Sequence, residues 1–176
     1  MKTLHLLRHA KSDWSNTSSD DFARPLSRRG KRARKVLARH VANWPVDLVV
    51  CSPAERARAT AKPLLEVLDC EVRYDDTLYA AGPDDLLAIT RGLPERAATV
   101  MLVGHNPSME ELTELLCGSS PRYPTGALGT LELDVEQWGD TTPRCASLSA
   151  LVTPAELAQA LNEPPTIRWL AAPPTP

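Results

Sequence analysis

The first apolar run of this chain, Thr3 to Leu7, stops abruptly at Arg8-His9-Ala10-Lys11. A neutral imidazole is a nitrogen nucleophile, so His9 can attack phosphorus and form a transient phosphohistidine that water then hydrolyses. A guanidinium holds two phosphate oxygens with a planar fork, which suits Arg8 to binding the group under attack. Two more groups of the same chemistry follow apolar runs further on: Arg56 after Val46–Cys51, and His105 after Ala98–Val103. Arg8 and Arg56 together would stabilise charge on the equatorial oxygens of a transferring phosphoryl group. A protonated His105 would add positive charge or a donated hydrogen bond, a role better suited to it than a second nucleophilic one. This arrangement calls for no metal and no cofactor.

These side chains work only if the fold brings them together. The apolar runs at 3–7, 46–51 and 98–103 are too short for independent helices and read as strands. The spacing of Leu26, Ala33, Val36, Leu37 and Val41 predicts a helix over 26–42 with Ser27 as its N-cap. Ser52-Pro53-Ala54-Glu55 combines a capping serine, a proline for the first helical position and a capping-box carboxylate, so a helix is expected from about residue 53. Pro63 should end or kink it. Glu71–Tyr74 reads as a short edge strand, followed by a turn through Gly82 and a helix over 83–91. Asn106 is expected to cap a helix that begins at Pro107 and faces Leu112, Leu115 and Leu116 inward. The alternation from Leu128 to Val135 predicts a half-exposed strand, with Ala146–Val152 as its partner and a last helix from Thr153-Pro154-Ala155-Glu156 to about residue 161.

Strands alternating with helices imply an α/β domain whose sheet is covered on both faces and whose ligands sit beyond the C-terminal strand ends. His9, Arg56 and His105 are all expected there. We assign this domain to residues 1–163 and a Pro-rich C-terminal tail to 164–176.

Composition narrows the partners. The net charge is only -2, yet residues 1–62 carry 14 Lys/Arg against 5 Asp/Glu while 63–176 carry 6 against 17. Much of the positive charge falls between Arg28 and Arg39, a solvated helical face, so attraction of an anionic substrate is expected rather than nucleic-acid binding. The four cysteines stand far apart, without metal-ligand pairing, and read as free thiols of a reducing compartment. No apolar stretch is long enough to cross a bilayer. A cytoplasmic monomer without membrane contact is the expectation.

The motifs also carry a resemblance. Leu6-Leu7-Arg8-His9-Ala10-Lys11-Ser12 resembles the nucleophile motif of the histidine phosphatase superfamily. Pro25-Leu26-Ser27-Arg28-Arg29-Gly30, Cys51-Ser52-Pro53-Ala54-Glu55-Arg56-Ala57-Arg58-Ala59-Thr60 and Val103-Gly104-His105-Asn106-Pro107 match its later blocks in order. Leu78-Tyr79-Ala80-Ala81 is similar to the small SixA-like phosphohistidine phosphatase branch. The resemblance covers roughly residues 2–135. It implies a phosphoglycerate-mutase-like three-layer sandwich with a mostly parallel central sheet, a nucleophile at His9, and phosphate contacts from Arg8, Arg56 and His105.

Many members of that family carry a carboxylic acid for the leaving group, some of them directly after the second histidine. Asn106 stands there in this chain and cannot donate that proton. Asp84, Asp85 and Glu110 are the candidate donors, with solvated helix-start acids as the alternative reading for Asp84 and Asp85. Ser15 is a further candidate phosphate contact, and with Lys11 a candidate to line the entrance. Without an evident acid, the expected substrate is phosphohistidine on a protein. The alternatives are a phosphomonoester of a small metabolite and, in a different class, a non-catalytic module that binds phosphate or a phosphoprotein.

Overall fold

The computed structural model describes residues 1–15 and 20–162. The proline-rich tail expected over 164–176 lies outside these residues. Six strands form one sheet: β1 (Lys2–Arg8), β2 (Leu48–Cys51), β3 (Glu71–Tyr74), β4 (Thr99–Gly104), β5 (Leu128–Leu133) and β6 (Ala146–Val152). Their order across the sheet is β3-β2-β4-β1-β5-β6. β3, β2, β4 and β1 run parallel, while β5 and β6 close the far edge antiparallel. The α-helices are α1 (Arg28–Val41), α2 (Glu55–Leu65), α3 (Pro83–Arg91), α4 (Ser108–Cys117) and α5 (Pro154–Asn162).

Alternation along the central strands divides the core in two. Leu4, Leu6, Val100 and Leu102 pack beneath Leu86 of α3 and Met109, Leu112 and Leu116 of α4. Leu7, Val49, Met101 and Val103 face the opposite way, onto Leu37 and Val41 of α1 and Ala57, Ala61 and Leu64 of α2. Both faces of β2 and β4 are thus covered, which is why these strands read as unbroken apolar runs. The result is the expected α/β three-layer sandwich.

Several local expectations hold. Ser27 caps α1 by accepting a hydrogen bond from Gly30 N, and Thr153 and Glu156 exchange capping-box bonds at the start of α5. Pro63 is accommodated in the last turn of α2, which continues to Leu65. Two caps differ. α2 begins at Glu55 after Ala54, which offers no side-chain cap; the Ser52 hydroxyl accepts a long bond from Ala54 N at 3.4 Å and also pairs with His105 Nε2 at 2.8 Å. α4 begins at Ser108 after Pro107, and the Asn106 amide donates to Glu110 Oε1 and the Tyr123 carbonyl rather than capping the helix. A 3-10 turn, Asp76–Tyr79, occupies part of the segment read as a plain turn. Among the described residues no helix is long and apolar enough to cross a membrane.

Candidate active site

Three neighbouring parallel strands, β2, β4 and β1, deliver the predicted groups to one end of the sheet. His9 follows the last residue of β1, and its backbone N–H donates to the Gly104 carbonyl, pinning it beside His105 at the end of β4. Ser52 N donates to the Val103 carbonyl in the same manner, so the turn leading into α2 joins the cluster. Thr60 on α2 then ties helix to loop: its hydroxyl accepts from Ala10 N and donates to the Arg56 carbonyl. His9, Arg56 and His105 are all buried, and the two imidazole centroids are 5.1 Å apart.

The hydrogen bonds of His9 define its reactive nitrogen. Nδ1 lies 2.8 Å from the Ala10 carbonyl oxygen, which can only accept, so Nδ1 carries the proton. Nε2 of the neutral ring therefore bears the lone pair, and Arg56 Nε donates to it across 3.3 Å. Burial, together with the nearby charges of Arg56, Arg8 and Arg24, lowers the His9 pKa to about 4, although the bond to Ala10 opposes the shift. His105 Nε2 pairs with the Ser52 hydroxyl at 2.8 Å, while Nδ1 is buried without a partner among the described residues. Burial, then His9 and Arg56, lower its pKa to about 3. The unliganded His105 is therefore neutral, and the positive charge expected of it requires an added anion.

Arg8 is the last residue of β1, directly before His9. Its Nη1 donates to the Tyr123 carbonyl at 2.7 Å, and its Nε is buried without a protein partner among the described residues. It shares a cavity of about 420 Å³ with Glu110, Arg122, Tyr123 and Pro124.

The residues with no periodic signal are the ones that hold Arg56 in place. Arg56 Nη1 donates to the Asp21 carbonyl at 2.7 Å and Nη2 to the Asp21 carboxylate at 3.1 Å. That carboxylate also accepts from the Tyr79 hydroxyl at 2.9 Å and from Arg24, which in turn donates to Ser12 and lies 3.6 Å from the exposed Trp14 ring. Burial pushes the Asp21 carboxyl up, but the bonds from Tyr79 and Arg24 and the charge of Arg56 outweigh it and leave the pKa below the usual value. Tyr79 also meets His105 edge to face at 5.7 Å. Asp21 and Arg24 were not among the residues singled out by sequence, and Ser52 was read there only as a helix cap.

The candidate acids are placed less centrally. Asp85 accepts from Gly82 N at the start of α3, and Asp84 is exposed beside it. Glu110 Oε1 accepts from both Asn106 Nδ2 and Tyr123 N at 2.7 Å, which commits that oxygen to the backbone frame. Ser15 is exposed and its N–H donates to Asp13 Oδ1; no hydrogen bond joins it to the His9 cluster among the described residues.

A neutral imidazole with its lone pair on Nε2 and three guanidinium groups nearby, at the C-terminal ends of parallel strands, suits an anionic electrophile such as a phosphoryl group. The comparisons with known proteins agree. Residues 4–80 match the family model of the histidine phosphatase superfamily (branch 1). An uncharacterised protein of Mycobacterium tuberculosis is 31% identical over 161 residues, covering 84% of this chain and 99% of its own length. A solved structure from Nakamurella multipartitia, assigned by its similarity as the phosphohistidine phosphatase SixA, is 29% identical. It superposes with a TM-score of 0.77 over 87% of this chain and 96% of its own. Phosphoserine phosphatase 1 of Hydrogenobacter thermophilus is 34% identical over 80 residues, 44% of this chain and 38% of that protein. The chain belongs to the histidine phosphatase superfamily, as a phosphatase of SixA-like architecture.

Proposed function

We propose that this phosphatase removes phosphate from phosphohistidine on a protein through a covalent intermediate on His9. The observation that carries the reading is the His9 ring itself: neutral, with the proton held on Nδ1 by the Ala10 carbonyl and the lone pair on Nε2. Nε2 attacks phosphorus, forming the N–P bond of phospho-His9 as the bond from phosphorus to the substrate imidazole breaks. Arg8, Arg56 and His105 bind the transferring oxygens and stabilise their charge. Water then attacks phospho-His9, inorganic phosphate leaves, and the electron pair returns to Nε2.

The leaving group decides the substrate class. An alkoxide needs a proton as it departs, and a well-placed carboxylic acid ordinarily supplies it. An imidazole protonated on its second ring nitrogen departs as a neutral molecule. Asp85 is engaged at a helix start and one Glu110 oxygen is engaged by two donors, and Asn106 stands beside His105. This favours a phosphoramidate, and the SixA-assigned relative points the same way. The partial match to a phosphoserine phosphatase keeps small phosphate esters as the second reading.

Steady-state kcat/KM on a phosphohistidine peptide, set beside a panel of phosphate esters that includes phosphoserine, separates the two. We expect the peptide to be preferred and His9→Ala to abolish turnover. A strong preference for esters would refute the proposed substrate, and undiminished turnover by His9→Ala would refute the nucleophile.

A further inference from the structure

The exposed face of α1 carries Arg28, Arg29, Lys31, Arg32, Lys35 and Arg39, and the helix contains no acidic residue. Such density of like charge is unfavourable in isolation, since neighbours at i,i+3 and i,i+4 repel. Among the described residues none of these six cations is ion-paired.

The position of the helix links this face to the site. Ser27 donates to the Lys11 carbonyl, and Lys11 is two residues beyond His9, within about 7 Å along the chain. Lys11, Arg29 and Arg32 line a cavity of about 420 Å³ together with the apolar Ala33, Val36 and Pro154. Glu156, the nearest acid on α5, is turned to the Thr153 N–H and hydroxyl and so does not neutralise these cations directly. Pro124 walls both this groove and the cavity that holds Arg8 and Arg122. Cations therefore line two neighbouring cavities close in the chain to the candidate nucleophile, one of them partly apolar.

We infer that this groove docks an acidic segment flanking the phosphorylated residue of a protein substrate, with Lys11, Arg29 and Arg32 as its specificity determinants. The inference rests on the phosphoprotein reading above. Charge complementarity sets the sign of the partner, and the small apolar lining suits the side chains between its carboxylates. A nucleic acid would satisfy the charge equally, but among the described residues no aromatic ring lines this groove to stack a base.

The test uses the full chain and two phosphohistidine peptides that differ only in Glu/Asp or Gln/Asn flanks, together with phosphoimidazole as a probe too small to reach the groove. We expect a roughly tenfold higher kcat/KM for the acidic peptide at low ionic strength, shrinking as salt screens the exposed pairs. Arg29→Ala/Arg32→Ala should abolish this preference and leave phosphoimidazole turnover unchanged. Fluorescence anisotropy with the unphosphorylated peptides reads the groove independently of chemistry. If turnover of every phosphoramidate fails while the acidic peptide still binds through Arg29 and Arg32, the substrate proposal fails and the groove stands. Equal binding of the two peptides, a preference that survives the double substitution, or tighter binding of a single-stranded oligonucleotide would each overturn the inference.

Discussion

Acid alone should protonate the two clustered histidines only far below the ordinary imidazole range, whereas an arriving anion should draw a proton onto His105 at much higher pH. With burial and neighbouring guanidinium groups lowering His9 from 6.5 to about 4, protonating it in place costs about 3 kcal/mol more than in water, at about 1.4 kcal/mol per tenfold. Observed by NMR through the imidazole carbons of the full chain, His9 should not titrate above pH 5, and His105 should stay neutral to about pH 3. A bound oxyanion changes His105 most. One negative charge at ~4 Å in a medium of effective dielectric ~20 is worth ~4 kcal/mol, or ~3 pH units. Saturating tungstate should therefore bring the His105 midpoint from about 3 to the neighbourhood of 6. Folding is linked to the same groups and to His5, a buried histidine of β1 also lowered to about 4: between pH 6.5 and about 4 the unfolded chain binds protons that the folded His5 and His9 refuse, and His105 refuses them down to about 3. Stability is thus complete above pH 6.5 and lost as pH falls through that window, so circular dichroism must accompany each titration point. A His9 midpoint near 6.5 in folded protein, or a His105 midpoint indifferent to tungstate, would refute this electrostatic account.

Asp21→Asn keeps an acceptor for Tyr79 but removes the charge that aligns Arg56. The carboxylate is half exposed, so we expect kcat to fall about fivefold to tenfold, with KM for a phosphorylated substrate unchanged or lower, since a competing negative charge is gone. If Asp21 acts through Arg56, its effect should vanish in an Arg56→Lys background; additive losses in this double-mutant cycle would show otherwise. Gly30→Ala drives a methyl into the Lys11 carbonyl oxygen, where backbone must move. A loss of about 1–3 kcal/mol by thermal melting, with reduced turnover, is expected, whereas Gly139→Ala, with nothing within 4 Å, should be close to neutral.

The frame of this molecule was legible in its sequence because each strand that matters is buried on both faces and leaves an apolar run with an abrupt polar end. Arg8-His9, Arg56 and His105 were visible as chemistry, and the parallel order of β2, β4 and β1 explains why they meet. Ser52 was legible but ambiguous. A serine before Pro-Ala-Glu satisfies every local requirement of an N-cap, and only the adjacent end of β4 supplies the imidazole that its hydroxyl also pairs with. Asn106 misled in the same way, since its tertiary partners Glu110 and Tyr123 outcompete a helix terminus. Asp21 could not be distinguished from Asp13 or Asp20 by type or spacing. Its importance arises where the loop before α1 passes over α2, a contact between segments 35 residues apart in the chain.

That contact also bears on how a cation-rich pocket stays folded without its anion. Arg8, Arg24 and Arg56 would repel one another if left unscreened, and protonating either histidine would add to the strain. Asp21 offsets two of these charges through direct bonds to Arg24 and Arg56, and Glu110 lies close enough to Arg8 to oppose the loss of its proton that burial favours. Both histidines remain neutral. The protein thus keeps the guanidinium groups oriented with carboxylates at the rim and spends no charge on the imidazoles. On the proposed reading, an arriving phosphoryl group meets an unprotonated His9 Nε2, and its own negative charge draws a proton from solvent onto His105. In this scheme the substrate creates the last cation of its own binding site, which is why His105 titration with and without tungstate tests the mechanism more directly than loss of activity in a His105 variant.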